Sequence, residues 1–151
     1  MIQPVNVTGS PAVNYGAELQ VTKYIHYFGV SLNYTYTHSS ITDKVNSFIS
    51  NPSLPGATTT LYNISETRPL QGQAAHIANV SFLYKNPKNG FDAHLAWNYT
   101  GRHIAFLYNF VGLDYWQDAT SFFDFACEKR IAKGGRVQYD SCLGTQGLHT
   151  N

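Results

Sequence analysis

Side chains that could perform acid–base or metal chemistry occur in this chain, but their spacing joins few of them into a site. The six histidines do not pair at the spacing by which two ring nitrogens bind one metal ion. His94 shares a strand face with Asp92, and we interpret it as a hydrogen-bonding side chain. Asp124 and Glu128 also share a strand face, but they lie too far apart along it to act as a catalytic pair of carboxylates. The sequence therefore predicts neither a catalytic pair nor a metal site.

Motifs for nucleophilic catalysis and phosphate binding are also missing. No serine lies in the Gly-x-Ser-x-Gly pattern of hydrolases, and no helical pattern follows Gly134 and Gly135 to bind a phosphate. The two cysteines, Cys127 and Cys142, are too few for a disulfide scaffold and form no Cys-x-x-Cys pair. We interpret Cys127 as a small apolar side chain, and the sequence gives no support for a bridge to Cys142. We expect no enzyme activity and no cofactor.

Two long polar connections, residues 42–73 and 101–120, hold or adjoin four polar side chains that could contact a ligand: Arg68, Gln71, Arg102 and Asp114. Connections of this kind often carry ligand contacts because they are exposed and are positioned by a rigid scaffold. The alternative is a structural role, in which Arg102 joins Asp124 in a charge network that stabilises a sheet.

The elements that would position these side chains follow a period of two. Over residues 28–37, apolar and aromatic side chains alternate with small polar ones, which places the two kinds on opposite faces of a strand. A further strand begins near residue 136 and fades out after residue 139. No segment has a convincing helical period. The other segments with the alternation are residues 15–22, 78–84, 91–100 and 123–128.

Short turns and long connections alternate between these strands. Residues 24–27 are a tight reversal between the first two strands. Residues 86–90 and 133–136 are short turns with Asn, Pro or Gly, which favour turns. The connections at residues 42–73 and 101–120 are long and polar. This order predicts an all-β fold, an antiparallel up-and-down meander of about six strands.

The composition favours hydrocarbon as the solvent of the apolar face. Charged residues make up 13% of the chain, against roughly 25% in a typical soluble domain. Aromatic residues make up 15%, and a soluble sandwich would carry more Lys and Glu on its outer face. A net charge of +1 lacks the basic footprint of a nucleic-acid binder. We therefore predict strands of a transmembrane β-barrel, apolar outside and polar inside.

Four motifs resemble TonB-dependent outer-membrane receptors, in the form common in Bacteroidetes. The first two resemble late barrel strands of these receptors, and the last two resemble the passage from a loop into a strand. Their order and spacing carry the likeness, which covers roughly residues 10–135. The motifs are Asn14-Tyr15-Gly16-Ala17-Glu18-Leu19-Gln20, Ser31-Leu32-Asn33-Tyr34-Thr35-Tyr36-Thr37, Arg68-Pro69-Leu70-Gln71-Gly72-Gln73 and Ile77-Ala78-Asn79-Val80.

This resemblance implies a fold, a place and a function. Residues 1–151 would be a C-terminal fragment of a roughly 22-stranded transmembrane β-barrel that surrounds a plug domain. The barrel would lie in the cell outer membrane and take up a nutrient, such as a siderophore, a vitamin or a glycan, with energy passed on by TonB. Its partners would be outer-membrane lipid, the remaining barrel strands, the plug domain and, through the absent N-terminal part, TonB.

The tail at residues 140–151 departs from the receptor pattern, because it is neither amphipathic nor ended by an aromatic residue. About six strands are also too few to close a barrel. We therefore expect a fragment that does not insert alone as a working transporter. The alternative function is a self-contained small β-barrel or an adhesin-like module that binds a ligand without transport.

Overall fold

A computed structural model describes residues 11–50, 59–133 and 136–149 of the chain. Within these residues the regular structure consists of strands. No helix in this part of the chain is long and apolar enough to cross a membrane. The strands are β1 (Val13–Ile25), β2 (Phe28–Ser50), β3 (Thr59–Arg68), β4 (His76–Asn86), β5 (Phe91–Thr100), β6 (His103–Phe106), β7 (Tyr115–Gln117), β8 (Thr120–Lys133) and β9 (Arg136–His149).

Most of the strands form one sheet. Its path runs β1-β2-β4-β5-β8-β9, and β3 pairs with the second half of β2. The strands β6 and β7 form a separate two-stranded sheet. The all-β, antiparallel up-and-down meander is thereby confirmed, whereas its place in a larger barrel stays a prediction. Among the described residues, no strand pairs with the outer edge of β1 or of β9.

Two of the predicted short turns are present. Between β1 and β2, His26 has a φ of 56°, in the left-handed region that two-residue hairpin turns use. Between β4 and β5, the side-chain oxygen of Asn86 accepts a hydrogen bond of 3.1 Å from the backbone N–H of Lys88. Gly90 ends this turn with a φ of 60°. The turn predicted at residues 133–136 has its two central glycines outside the described residues.

Three segments hold more strand than the sequence predicts. Residues 42–73 were expected to be a connection, but they contain the end of β2 and all of β3. The expected connection at residues 101–120 contains β6 and β7. β9 continues to His149 in register with β8, well beyond residue 139. These segments lack a clean alternation, and the backbone hydrogen bonds to a neighbouring strand form without one.

The chain divides into two compact units, which are described separately. The sheet unit comprises Gly16–Thr37, Ala74–Arg102 and Asp118–Asn151. The hairpin unit comprises Met1–Tyr15, His38–Gln73 and His103–Gln117. Among the described residues, the buried apolar side chains are Val45 and Ile104 in the hairpin unit and Ala74 in the sheet unit.

One side of the sheet unit, the apolar face, is built from apolar side chains aligned across four strands. Leu32 of β2 lies opposite Val80 of β4, which lies opposite Trp97 of β5, which lies opposite Phe123 of β8. The next row also consists of one apolar side chain from each of these four strands, and all four side chains are at least 42% exposed. This row consists of Val30, Phe82, Leu95 and Phe125.

The opposite side of the sheet unit, the polar face, carries a row of amides. Asn33, Asn79 and Asn98 lie opposite one another on β2, β4 and β5. The side-chain N–H of Asn33 donates to Glu18 at 2.9 Å. That of Asn98 donates to Asp124 at 3.3 Å. The amide row is therefore joined to a carboxylate at each end.

A disulfide joins the two last strands of the sheet. Cys127 of β8 lies directly opposite Cys142 of β9, with Cα atoms 5.1 Å apart, and the two sulfurs are bonded. Because Cys127 also lies opposite Ala93, the bond belongs to the apolar face. Sequence analysis found no support for this bridge, since the spacing of the two cysteines does not reveal the strand register that brings them together.

Candidate functional site

The structure brings three of the four ligand-contacting candidates into one unit. Arg68 ends β3, Gln71 follows it, and Asp114 lies between β6 and β7. All three belong to the hairpin unit, whereas Arg102 belongs to the sheet unit. The candidate site is therefore built on the β6–β7 hairpin (His103–Gln117) and on residues 68–73, which we call the tether segment.

The guanidinium of Arg68 is the centre of this arrangement. Its Nη1 donates to Asp114 Oδ1 at 3.0 Å and to the backbone oxygen of Tyr108 at 3.1 Å. Its Nη2 lies 3.7 Å from Asp43 Oδ2. The side chains of Arg68 and Asp114 are 10% and 8% exposed. Because both charges have lost most of their hydration, each is stabilised by the other.

Asp114 also binds its own hairpin. Its Oδ1 accepts a hydrogen bond of 2.8 Å from the backbone N–H of Tyr108. The same carboxylate oxygen thus holds the backbone of the hairpin and the guanidinium of Arg68. Gly112, near the tip, has a φ of 69°, a conformation that favours glycine.

The tether segment holds β6 through its backbone and through an amide. The backbone N–H of Gly72 donates to the oxygen of Ile104 at 2.8 Å. The side-chain N–H of Gln71 donates to the backbone oxygen of Ala105 at 2.8 Å. One of the two N–H groups of the Gln71 amide is therefore used in a contact within the protein.

The second half of β2 holds the tip of the hairpin. The backbone N–H of Asn46 donates to the oxygen of Asn109 at 2.9 Å, and its oxygen accepts from Val111 at 3.1 Å. The rings of Phe48 and Phe110 stack at 4.9 Å with planes 10° apart. These contacts hold the tip of the hairpin against the second half of β2.

A shallow concavity of about 370 Å³ lies at the tip of the hairpin. Its rings are exposed, with Tyr115 at 64% and Tyr108 at 46%, and they meet edge to face at 6.4 Å. Rings in this geometry offer an apolar body with a polar hydroxyl tip. The concavity is lined by Tyr108, Gly112, Leu113, Asp114 and Tyr115.

Arg102 lies apart from this arrangement, in the sheet unit. Its Nε is 3.6 Å from Asp118 Oδ1, and the two side chains are 60% and 62% exposed. The predicted structural alternative joined Arg102 to Asp124, whereas the ion pair seen here is with Asp118. The carboxylate of Asp124 accepts instead from Asn98. A pair this exposed contributes little to stability.

Sequence reasoning missed two acids beside Arg68. Asp43 and Glu66 lie directly opposite each other on β2 and β3. Glu66 Oε2 and Arg68 Nε are both buried and make no hydrogen bond. The sequence does contain these charges, within the polar segment from Asp43 to Arg68. Because we expected that segment to be a connection, we did not consider that strand pairing could bring Asp43, Glu66 and Arg68 together.

The described residues contain no cluster of side chains that could bind a metal ion. Across residues 11–50, 59–133 and 136–149, no three His, Cys, Asp or Glu side chains lie close enough to hold a metal ion. Glu128 lies opposite Asp92 and Ser141 on neighbouring strands. Its partner in the rejected carboxylate pair, Asp124, lies opposite Ala96 and Thr145.

The chain matches no protein-family model, no curated protein and no solved structure. The resemblance to TonB-dependent receptors therefore stays a prediction that rests on the residues of this chain. The part of that resemblance which the structure shows is the antiparallel all-β meander.

Proposed function

We propose that this chain forms part of the wall of a TonB-dependent outer-membrane receptor that takes up a nutrient. The apolar face would contact the hydrocarbon of the outer membrane, and the polar face would line the lumen. The observation that carries the proposal is the apolar face itself, where aligned and exposed aromatic and aliphatic side chains continue from strand to strand.

The exposure of this face is difficult to reconcile with water as its solvent. Phe28, Phe82 and Phe125 are 62%, 51% and 45% exposed. Contiguous apolar surface on a protein in water is normally limited to a few hundred Å². In a bilayer the same surface costs nothing to expose, whereas every backbone amide needs a partner, which a continuous antiparallel sheet supplies.

Aromatic side chains at both ends of the apolar face support the same assignment. At one end, the ring of Tyr84 lies 5.0 Å from that of Phe28 and 6.1 Å from that of Phe91. At the other end, Tyr36 lies 5.4 Å from His76. The strand from Phe28 to Tyr36 rises about 26 Å at roughly 3.3 Å per residue. Strand tilt would reduce this to about 20 Å, near the height of the apolar band of outer-membrane barrels.

The polar face has the character of a water-filled lumen. The amides of Asn33, Asn79 and Asn98 follow one another across the sheet, and carboxylates accept hydrogen bonds at both ends of the row. Such side chains keep their hydrogen bonds in water and would be costly in hydrocarbon. This amide row supports water as the proposed solvent of the polar face.

The open edges of the sheet define the partners of the proposed assembly. Among the described residues, β1 and β9 each pair on one side only, and a sheet that spans a bilayer must pair both. The remaining strands of the barrel would supply those pairs. The plug domain and TonB would act through other parts of the receptor.

Quenching of Trp97 by brominated lipid tests the proposal. Trp97 lies on the apolar face between Val80 and Phe123. The variant Trp116→Phe leaves Trp97 as the one tryptophan of the chain. We expect its fluorescence in liposomes to fall strongly when the acyl chains carry bromine, and acrylamide in the aqueous phase to have little effect.

The matched experiment uses Trp97→Phe, in which Trp116 of the β6–β7 hairpin is the remaining tryptophan. Lipid quenching of Trp97 well above that of Trp116 supports the proposal. Equal and weak quenching of both, together with a monodisperse monomer in detergent-free buffer, would contradict it. That outcome would favour the alternative of a self-contained module that binds a ligand without transport.

A further inference from the structure

We propose that the tether segment, residues 68–73, fixes the β6–β7 hairpin in one conformation, so that the hairpin is a rigid wall and not a mobile lid. Arg68 is the principal positioning residue of this device. The inference concerns the hairpin unit alone and goes beyond the proposed receptor function. It does not depend on whether lipid or water contacts the apolar face of the sheet unit.

The charge distribution makes the Arg68–Asp114 pair the electrostatic anchor of the hairpin. Asp114 is the one carboxylate between His103 and Gln117, a stretch that contains no Lys or Arg. Its carboxylate lies 3.0 Å from Arg68 Nη1, and both side chains are at least nine-tenths buried. Removal of Arg68 would leave Asp114 charged and desolvated, which is a large penalty. Removal of Asp114 would leave Arg68 with the more distant carboxylate of Asp43, whose Oδ2 lies 3.7 Å from its Nη2.

The backbone contacts of the tether segment act at the other end of the hairpin. Gly72 and Gln71 donate to consecutive backbone oxygens of β6, those of Ile104 and Ala105. The side chain of Ile104 is fully buried. The tether segment thus holds the start of the hairpin by hydrogen bonds and its tip by an ion pair.

These features distinguish a fixed wall from a lid. Mobile lids have few buried contacts and exposed backbone hydrogen bonds. Here the hairpin tip is also bound through Asn46 and by the Phe48–Phe110 stack. The rings of Tyr108 and Tyr115, which lie 6.4 Å apart, are therefore held in place by the hairpin.

Hydrogen–deuterium exchange on the full chain in detergent micelles tests the tether. We expect the amides of Tyr108, Val111 and Leu113, whose N–H groups donate hydrogen bonds, to be protected in the wild type. In Arg68→Ala their exchange should rise about tenfold or more, because the buried carboxylate of Asp114 loses its counter-charge and this favours local opening. In Asp114→Asn it should rise less, because the carboxylate of Asp43 still lies 3.7 Å from Arg68. Amides of β4, β5 and β8 should be unchanged in both variants.

The control is Lys85→Ala, which removes an ion pair of 4.0 Å whose side chains are 65% and 36% exposed. It should leave exchange in the hairpin at the wild-type rate. Arg68→Lys keeps the charge and loses the forked donor geometry, and its exchange should lie between the wild type and Arg68→Ala. Wild-type exchange rates in both Arg68→Ala and Asp114→Asn would overturn the proposal.

A measurement on the wild type alone keeps the proposal testable if the variants fail to fold. Chymotrypsin cleaves after aromatic residues, and Phe106, Tyr115 and Trp116 are 67%, 64% and 43% exposed. A rigid hairpin predicts slow cleavage at these sites despite their exposure, because proteolysis requires local unfolding. Rapid cleavage within residues 106–116, before any cut in β5 or β8, would overturn it.

Discussion

Leu95 of β5 and Phe125 of β8 lie directly opposite each other on the apolar face, and they are 42% and 45% exposed. Two large apolar side chains in register would normally be covered by a second layer. Their pairing is one part of a row of exposed apolar side chains that crosses four strands.

The first prediction compares two neighbouring positions on β5. Leu95→Arg places a cation on the apolar face and Ala96→Arg places one on the polar face, opposite Ser81 and Asp124. In lipid, we expect Leu95→Arg to destabilise the inserted sheet by about 2–4 kcal/mol and Ala96→Arg by much less. Urea titration in liposomes, followed by tryptophan fluorescence, measures both. Equal effects at the two positions would argue against hydrocarbon on one face only.

The second prediction concerns the disulfide between Cys127 and Cys142, which are 15 residues apart in the chain. Its loss in Cys127→Ala/Cys142→Ala should lower the free energy of unfolding by about 3 kcal/mol, since the cross-link restricts the unfolded chain. A reducing agent should lower the stability of the wild type and leave the double variant unchanged. If reduction shifts both proteins equally, the effect does not come from this bond.

The third prediction compares substitution by alanine at two glycines with positive φ, Gly90 and Gly112. At Gly112 the new Cβ causes backbone strain alone, whereas at Gly90 it also collides with a neighbouring side chain. A Cβ at Gly90 would lie 2.9 Å from the Cβ of Arg130, whereas a Cβ at Gly112 would meet nothing within 4 Å. Gly112→Ala should cost about 1 kcal/mol, the typical penalty of the left-handed region. Gly90→Ala should cost clearly more, because Arg130 must also move. Denaturant midpoints of the two variants provide the comparison, and a larger loss for Gly112→Ala would contradict it.

The fourth prediction concerns the small core of the hairpin unit. Ile104 is fully buried, whereas Leu113 in the same hairpin is 56% exposed. Ile104→Ala should reduce stability by about 2–5 kcal/mol, since it removes buried methyl groups and leaves a cavity. Leu113→Ala should change it by less than about 0.5 kcal/mol, as expected at an exposed position. Thermal or urea unfolding of the hairpin unit measures both variants.

The sequence predicts the sheet unit well because side-chain alternation there is strong. Residues 28–37 and 91–100 alternate without interruption, and both lie within strands of the structure, β2 and β5. Turn-forming residues at 86–90 also fix a boundary between strands. In such segments one face of the strand is apolar and the other is polar, so the alternation of side chains along the sequence predicts the strand.

The sequence predicts the hairpin unit less well, because its strands carry polar residues on both faces. β3 forms through ladder pairs such as Asp43↔Glu66 and Val45↔Ile64, and these pairs need a partner strand that the local pattern does not show. The site shares this difficulty. Arg68 and Asp114 are 46 residues apart in the chain, and their contact depends on how β2, β3 and the β6–β7 hairpin are arranged.

The location of the disulfide on the apolar face has a consequence for the order of biogenesis. Formation of the bond requires a thiolate, and an apolar medium disfavours ionisation of a thiol. If this face contacts lipid as proposed, Cys127 and Cys142 must be oxidised while the chain is still in an aqueous, oxidising compartment. The β8–β9 pair would then be delivered to the membrane as a cross-linked ribbon whose register was set before insertion.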